Sequence, residues 1–246
     1  MPDDPKEIRS KAVDDFLKAV YLLQQQIDPV PTNLLAQTLR ISAPSVTDMV
    51  KRMAGIDDDK EKKHRREDET AHKGPPLVEY EPYHGVRLNE EGKKIALEVI
   101  RHHRLLELYL VEKLGYSWDE VHDEAEQLEH YVSEKLEARI AAALGNPHVD
   151  PHGDPIPALD GTITAQNLSV LAELPIHEPA VVSRIVDQHP EVLRYLSEID
   201  LTPGIPVQVI ERAPLNDTVT IQIAGEATYT ISTLVARSVL VGPPTA

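Results

Sequence analysis

The chain has 246 residues, 41% of them hydrophobic, enough for two or three small packed domains and too apolar for a disordered tail protein. It has no cysteine, which excludes a disulfide framework, a thiolate zinc site, an iron–sulfur cluster and a cysteine nucleophile. With 25 Lys and Arg against 41 Asp and Glu (net charge −16) and only 4% aromatic residues, it fits neither a generic basic nucleic-acid binder nor a stacking platform for single strands.

Residues from about Ser10 to Gln26 read as a helix, with Val13, Phe16, Leu17, Val20 and Tyr21 on one apolar stripe. Asp15 falls on the opposite face, near Ala19 and Leu22, either as a solvated carboxylate or as a contact to another domain. A short helix capped by Thr32 follows, then a tight turn at Arg40-Ile41 and a third helix opened by Ser42-Ala43-Pro44. Val46, Met49, Val50 and Met53 face its core; Ser45, Thr47, Asp48, Lys51 and Arg52 point outward. This is the helix-turn-helix plan, in which small polar groups reach base edges and cations meet phosphates. Up to Gly55 seven basic residues balance seven acidic ones, so the acidic excess lies downstream and duplex DNA is a fitting partner. Residues 57–73 are almost wholly charged and read as a solvated loop; Leu77–Tyr80 and Val86–Leu88 read as a β-hairpin wing.

Asn89 caps a long helix to about Leu114, stopped by Gly115, and Ser117-Trp118-Asp119-Glu120 is a capping box for a second helix reaching Gly145. His103 interrupts the first apolar stripe and Glu107 lies at its edge; His122, Glu126, Glu129 and His130 share one face of the second. Antiparallel pairing about Gly115 sets His103 level with residue 128 and Glu107 level with 124, so the six groups converge. Burying them is costly unless they pair with each other or hold divalent metal. With only oxygen and nitrogen donors, the set suits manganese, iron(II), cobalt or zinc. Residues 146–161 are rich in Pro, Asp and Gly; their His148 and His152 could bind metal, but scattered histidines in such a loop are usually structural or solvated. Short strands at 180–185, 207–212, 218–223, 227–231 and 238–241 read as a small β-barrel.

His103-Arg104-Leu105-Leu106-Glu107, the run Val121–His130 and Gly153-Asp154-Pro155-Ile156-Pro157 resemble the diphtheria-toxin-repressor and manganese-transport-regulator family of metal-dependent repressors. The resemblance covers nearly the whole chain and implies a mainly α fold with a small β component. The implied domains are a winged-helix DNA-binding domain (1–89), a helical metal-binding and dimerisation domain (90–145), a Pro-rich linker (146–179) and a Src-homology-three-like barrel (180–246). It implies a primary metal site of Asp15, Glu126, Glu129 and His130 and an ancillary site of His103, Glu107 and His122, with Gln188 and Glu191 as weaker ligands from the barrel. DNA contacts would come from Ser42, Pro44, Ser45, Thr47, Asp48, Lys51 and Arg52.

The iron-responsive branch places Met and Cys where this chain has Asp15 and Glu126, so manganese ranks first and iron(II) second, with about two ions per subunit. Short manganese regulators carry a further carboxylate where this chain has Lys18, and they lack the barrel. The expected protein is a non-enzymatic, cytoplasmic homodimer that binds a palindromic operator and controls metal-uptake genes. No apolar run approaches the roughly 18–20 residues of a membrane span. The rival readings are a di-metal carboxylate helical enzyme and a metal-buffering protein.

Overall fold

The computed structural model describes residues 10–56 and 74–244, within two compact units, Met1–Ile100 and Arg101–Ala246. The charged stretch 57–73 lies outside the described residues.

In the first unit, α1 (Lys11–Gln24) buries Val13, Phe16, Leu17 and Val20, the stripe written in its sequence. α2 (Thr32–Leu39) begins one residue earlier than the pattern predicts: Thr32 is already helical and Pro31 occupies the cap. Arg40 ends α2 in the left-handed region (φ 53°), returning its N–H to the carbonyls of Ala36 and Gln37. α3 (Ala43–Met53) is opened by Ser42, whose Oγ accepts the Ser45 N–H at 3.2 Å, with Pro44 in the first turn. Val46, Val50 and Met53 are buried beneath it.

β1 (Val78–Glu81) and β2 (Gly85–Leu88) form the antiparallel wing, with Val78 opposite Leu88 and Tyr80 opposite Val86. Val30 and Val86 exchange backbone hydrogen bonds at 2.9 Å, tying the wing to the segment before α2. Gly85 permits this approach: its φ is 131°, and a Cβ there would lie 2.6 Å from the Val30 carbonyl oxygen. α4 (Glu90–Leu114) is capped by Asn89, whose Oδ1 accepts the Gly92 N–H at 2.9 Å, and the boundary between the units falls within this helix.

In the second unit the predicted second helix is divided. Ser117 Oγ bonds Glu120 Oε2 at 2.7 Å, but α5 (Val121–Leu128) starts only after this turn. A single 3-10 turn, Glu129–Tyr131, follows; Val132 is extended, and Ser133 caps α6 (Glu134–Ala143) by accepting the Leu136 N–H at 3.3 Å. Leu128, Val132 and Leu136 stay in phase across the break, which hides it from a periodicity reading, while the Ser133 hydroxyl offers the backbone a competing cap. The 148–157 loop is ordered by its own backbone bonds, Asp150 N–H to Asp154 at 3.0 Å and Ile156 N–H to His148 at 2.9 Å.

Beyond it come β3 (Ser169–Val170), β4 (Ala180–Ile185), α7 (Pro190–Glu198), β5 (Pro206–Ala213), β6 (Thr218–Ile223), β7 (Ala227–Ser232), α8 (Thr233–Ser238) and β8 (Val239–Gly242). The strands form one antiparallel sheet in the order β3-β8-β4-β5-β6-β7, with bulges in β4 and β5 that bend it. Its core holds Val182, Ile185, Leu193, Leu196, Val209 and Ile221. This sheet begins at Ser169, ahead of the boundary expected at 180, and Leu171 and Leu174 join its core. A two-residue strand is too short to show alternation.

Candidate metal centre

The centre is built on α4, where His103 and Glu107 stand one turn apart on the same face. Both are buried, Glu107 to 1% exposure and His103 to 7%. His103 Nε2 lies 3.0 Å from Glu107 Oε1, and its Nδ1 lies 2.5 Å from Glu129 Oε2. His122 Nδ1 lies 3.4 Å from Glu107 Oε1 and its Nε2 3.9 Å from Glu126 Oε1, while His130 Nε2 is 3.5 Å from Glu129 Oε1. The helical pairing thus brings all six side chains into one connected cluster.

A carboxylate only accepts hydrogen bonds, and each His103 ring nitrogen faces one, Nε2 toward Glu107 and Nδ1 toward Glu129. Burial pushes the Glu107 carboxyl up. The charge and hydrogen bond of His103 and a hydrogen bond from His122 outweigh that and hold it well below the usual carboxylate range. One ligand atom each from His103, Glu107 and His122 lies within 4.8 Å of the others.

A second group meets the same standard: Glu107, Asp150 and His152. His152 is fully buried and stacks on Trp118 with ring centroids 5.7 Å apart. Its Nε2 donates to the Trp118 carbonyl at 2.8 Å, which leaves Nδ1 as the nitrogen with a lone pair. That Nδ1 has no hydrogen-bond partner and lies 3.9 Å from Glu107 Oε2. A buried imidazole oriented by a backbone carbonyl, with its free nitrogen toward carboxylates, is the second-shell arrangement of a metal ligand.

Asp150 accepts the backbone N–H groups of His152 at 2.8 Å and Asp154 at 3.0 Å. Burial pushes its carboxyl up, reinforced by the charges of Asp154 and Glu107 and opposed by Arg104. A bound cation would relieve that repulsion, so the donor set fits a divalent metal. Sequence reasoning gave Asp150 no role and ranked a structural role for His152 above metal binding: a loop has no period, and His152 is brought here by tertiary docking. Ile185 N–H donates to the His152 carbonyl at 2.8 Å, and a Cβ on Gly153 (φ 87°) would sit 1.9 Å from the Ser183 carbonyl oxygen.

The other expected site residues are placed as follows. Asp15 is half-buried on α1 in the first unit. Gln188 donates to Asp154 Oδ2 at 2.6 Å, beside Arg184 Nε at 2.7 Å from the other carboxylate oxygen. Glu191 is exposed in the first turn of α7 and belongs to no three-donor group among the described residues. On the recognition helix Ser42, Pro44, Ser45 and Asp48 are exposed, and Thr47, Lys51 and Arg52 are half-exposed. The hydroxyls are already oriented: Ser42 and Ser45 share a bond of 2.8 Å, and Thr47 Oγ1 donates to the Ala43 carbonyl at 3.0 Å.

Comparison with known proteins agrees with this architecture. Residues 10–57 match the N-terminal DNA binding domain of iron dependent repressors, 89–158 their metal binding and dimerisation domain, and 170–243 the FeoA domain. Over 239 residues the chain is 31% identical to the iron-dependent repressor IdeR of Mycobacterium tuberculosis (strain ATCC 25618 / H37Rv), covering 92% of this chain and 94% of that protein. The chain belongs to the diphtheria-toxin-repressor and manganese-transport-regulator family.

Solved structures of similar proteins include a manganese-dependent transcriptional repressor in complex with manganese, 34% identical, with a TM-score of 0.79 over 94% of this chain and 99% of that one. The manganese regulator SloR is 27% identical, with a TM-score of 0.66 over 94% of this chain and 98% of its own. The family's fold is the one described: a winged helix-turn-helix, a helical domain and a Src-homology-three-like domain. Among the described residues no helix is long and apolar enough to cross a membrane.

Proposed function

We propose that this metal-dependent, DNA-binding repressor responds to manganese first and iron(II) second, with about two ions per subunit. The observation that carries the reading is the buried cluster of nitrogen and oxygen donors around Glu107, with no sulfur among them. The primary site is Asp15, Glu126, Glu129 and His130. The ancillary site is His103, Glu107 and His122, to which we add Asp150 and His152; Gln188 and Glu191 remain weaker candidates.

When bound, a divalent ion supplies positive charge to these carboxylates and a link between segments that donate ligands. Asp15 belongs to the DNA-binding domain and its three companions to the helical domain, so their joint ligation restrains the first domain relative to the second. A His103 nitrogen that held the cation would have to be unprotonated, so metal binding would be coupled to proton release. Shifting the DNA-competent form from about 1:99 to 99:1 requires a differential affinity of about 5.5 kcal/mol.

Homodimerisation is supported by an apolar groove of about 420 Å³ on the helical domain, lined by Leu106, Tyr109, Leu110, Leu128, Leu136 and Ile140. In the dimer two recognition helices, roughly 34 Å apart, read a palindromic operator. Ser42, Pro44, Ser45, Thr47 and Asp48 meet the bases while Lys51 and Arg52 meet phosphates. The genes controlled are those of metal uptake.

The test is fluorescence anisotropy on DNA from upstream of the protein's own gene, with manganese, with anaerobic iron(II), and with chelator. Binding in manganese that chelator reverses is the expected result. Equal affinity in all three conditions would overturn the reading.

A further inference from the structure

His102, beside the ligand His103, has no place in either metal group, yet it is buried to 6% exposure. Its Nδ1 lies 3.2 Å from the backbone carbonyl of Glu129, and its Nε2 lies 3.1 Å from Glu137 Oε2. Both partners are acceptors, and each ring nitrogen faces one of them. Glu137 is held in turn by Arg101, whose Nε donates to Oε1 at 2.5 Å and whose Nη1 donates to the Pro157 carbonyl at 2.7 Å.

These contacts straddle the 3-10 turn Glu129–Tyr131. The Glu129 carbonyl stands at the end of α5, where carbonyls lack an intrahelical partner, and His102 supplies one. Glu137 lies in the first turn of α6, just past the turn. Glu129 is therefore gripped twice by adjacent histidines: its carboxylate by His103 and its main chain by His102. Were the carboxylate to hold a cation in place of His103, the main-chain contact would not depend on that exchange.

We infer that His102, through its contact with the Glu129 carbonyl, is a positioning residue that fixes the Glu129–His130 turn in ligand-ready geometry. The inference rests on the primary-site assignment above. Groups that orient ligands in this way typically change metal affinity by about 10–100-fold when removed.

The test uses the full-length chain and titrates manganese alone, reading free manganese(II) by electron paramagnetic resonance and apo-protein melting by circular dichroism. His102→Asn keeps an amide N–H near the Nδ1 position, facing the Glu129 carbonyl; His102→Gln places it near Nε2, facing Glu137. We expect H102N to bind manganese within about twofold of wild type and H102Q about tenfold more weakly, though both melt earlier. A purely structural role would weaken both alike, and that result, or wild-type affinity in H102Q, overturns the proposal.

If H102Q does not fold, Glu137→Gln decides. It retains the bond to Glu129 and should hold manganese within about twofold of wild type; a loss of about tenfold would overturn the proposal. Glu129→Gln separates the two readings. If it leaves both manganese ions bound as in wild type, the primary-site assignment has failed; if it removes about one manganese per subunit while H102Q does not weaken binding, the positioning role alone has failed.

Discussion

Glu107 and Glu137 are buried carboxylates held ionised by different neighbours. Burial pushes Glu137 up from its ordinary value of 4.5, but hydrogen bonds and charge from His102 and Arg101 outweigh it and leave the group lowered. A carboxylate whose folded pKa is depressed adds stability above the unfolded value, and that stability is lost as pH falls through the folded one. In chelator, Glu137→Gln should therefore cost about 2 kcal/mol near neutral pH, with the gap closing as the pH falls below about 4.5. Urea midpoints of both proteins from pH 7 to pH 3 check this; a constant gap would show that the charge is not what matters. His103, Glu107 and His122 were legible in the sequence because polar groups break an apolar helical stripe. Asp150 was not, and His152 stood out only as one of two loop histidines able to bind metal, because only the fold carries their loop to Glu107.

At the scale of elements, helices with clear stripes and caps could be read directly: α3 from Ser42 and Pro44, α4 from Asn89. The break at Glu129–Tyr131 could not, since Leu128, Val132 and Leu136 remain in phase through it. It has a functional consequence, because a continuous α-helix would use the Glu129 carbonyl internally and leave His102 without that acceptor. The 148–157 loop is the other element that matters. It docks through Gly153, whose positive φ and contact with the Ser183 carbonyl leave no room for a side chain. Gly153→Ala combines left-handed strain with a backbone clash and should cost at least about 2 kcal/mol. Displacing the loop should also remove His152 from the ancillary group. Calorimetric titration should then show weakened manganese binding at one of two sites, and unchanged binding at both would separate the loop from the metal centre.

At the scale of the whole molecule the question is whether metal and DNA are coupled. Linkage is reciprocal: if manganese tightens operator binding by some factor, operator must tighten manganese binding by the same factor. The proposed coupling passes through Asp15, the one primary ligand on the DNA-binding domain. Asp15→Ala deletes a half-exposed side chain outside the unit's apolar core, so its fold and its ancillary donors should persist. The variant should still bind about one manganese per subunit, while the anisotropy titration with operator loses its manganese dependence. Its residual operator affinity should match that of wild type in chelator, because only the metal-dependent part is removed. A control comes from the recognition helix. Changing Ser45 and Thr47 to alanine should alter the ranking of operator sequences, each lost base contact shifting discrimination by about 1–3 kcal/mol, with manganese binding in the absence of DNA untouched. If Asp15→Ala instead represses normally in manganese, the two domains are coupled by some other route, and the primary site must be redrawn without α1.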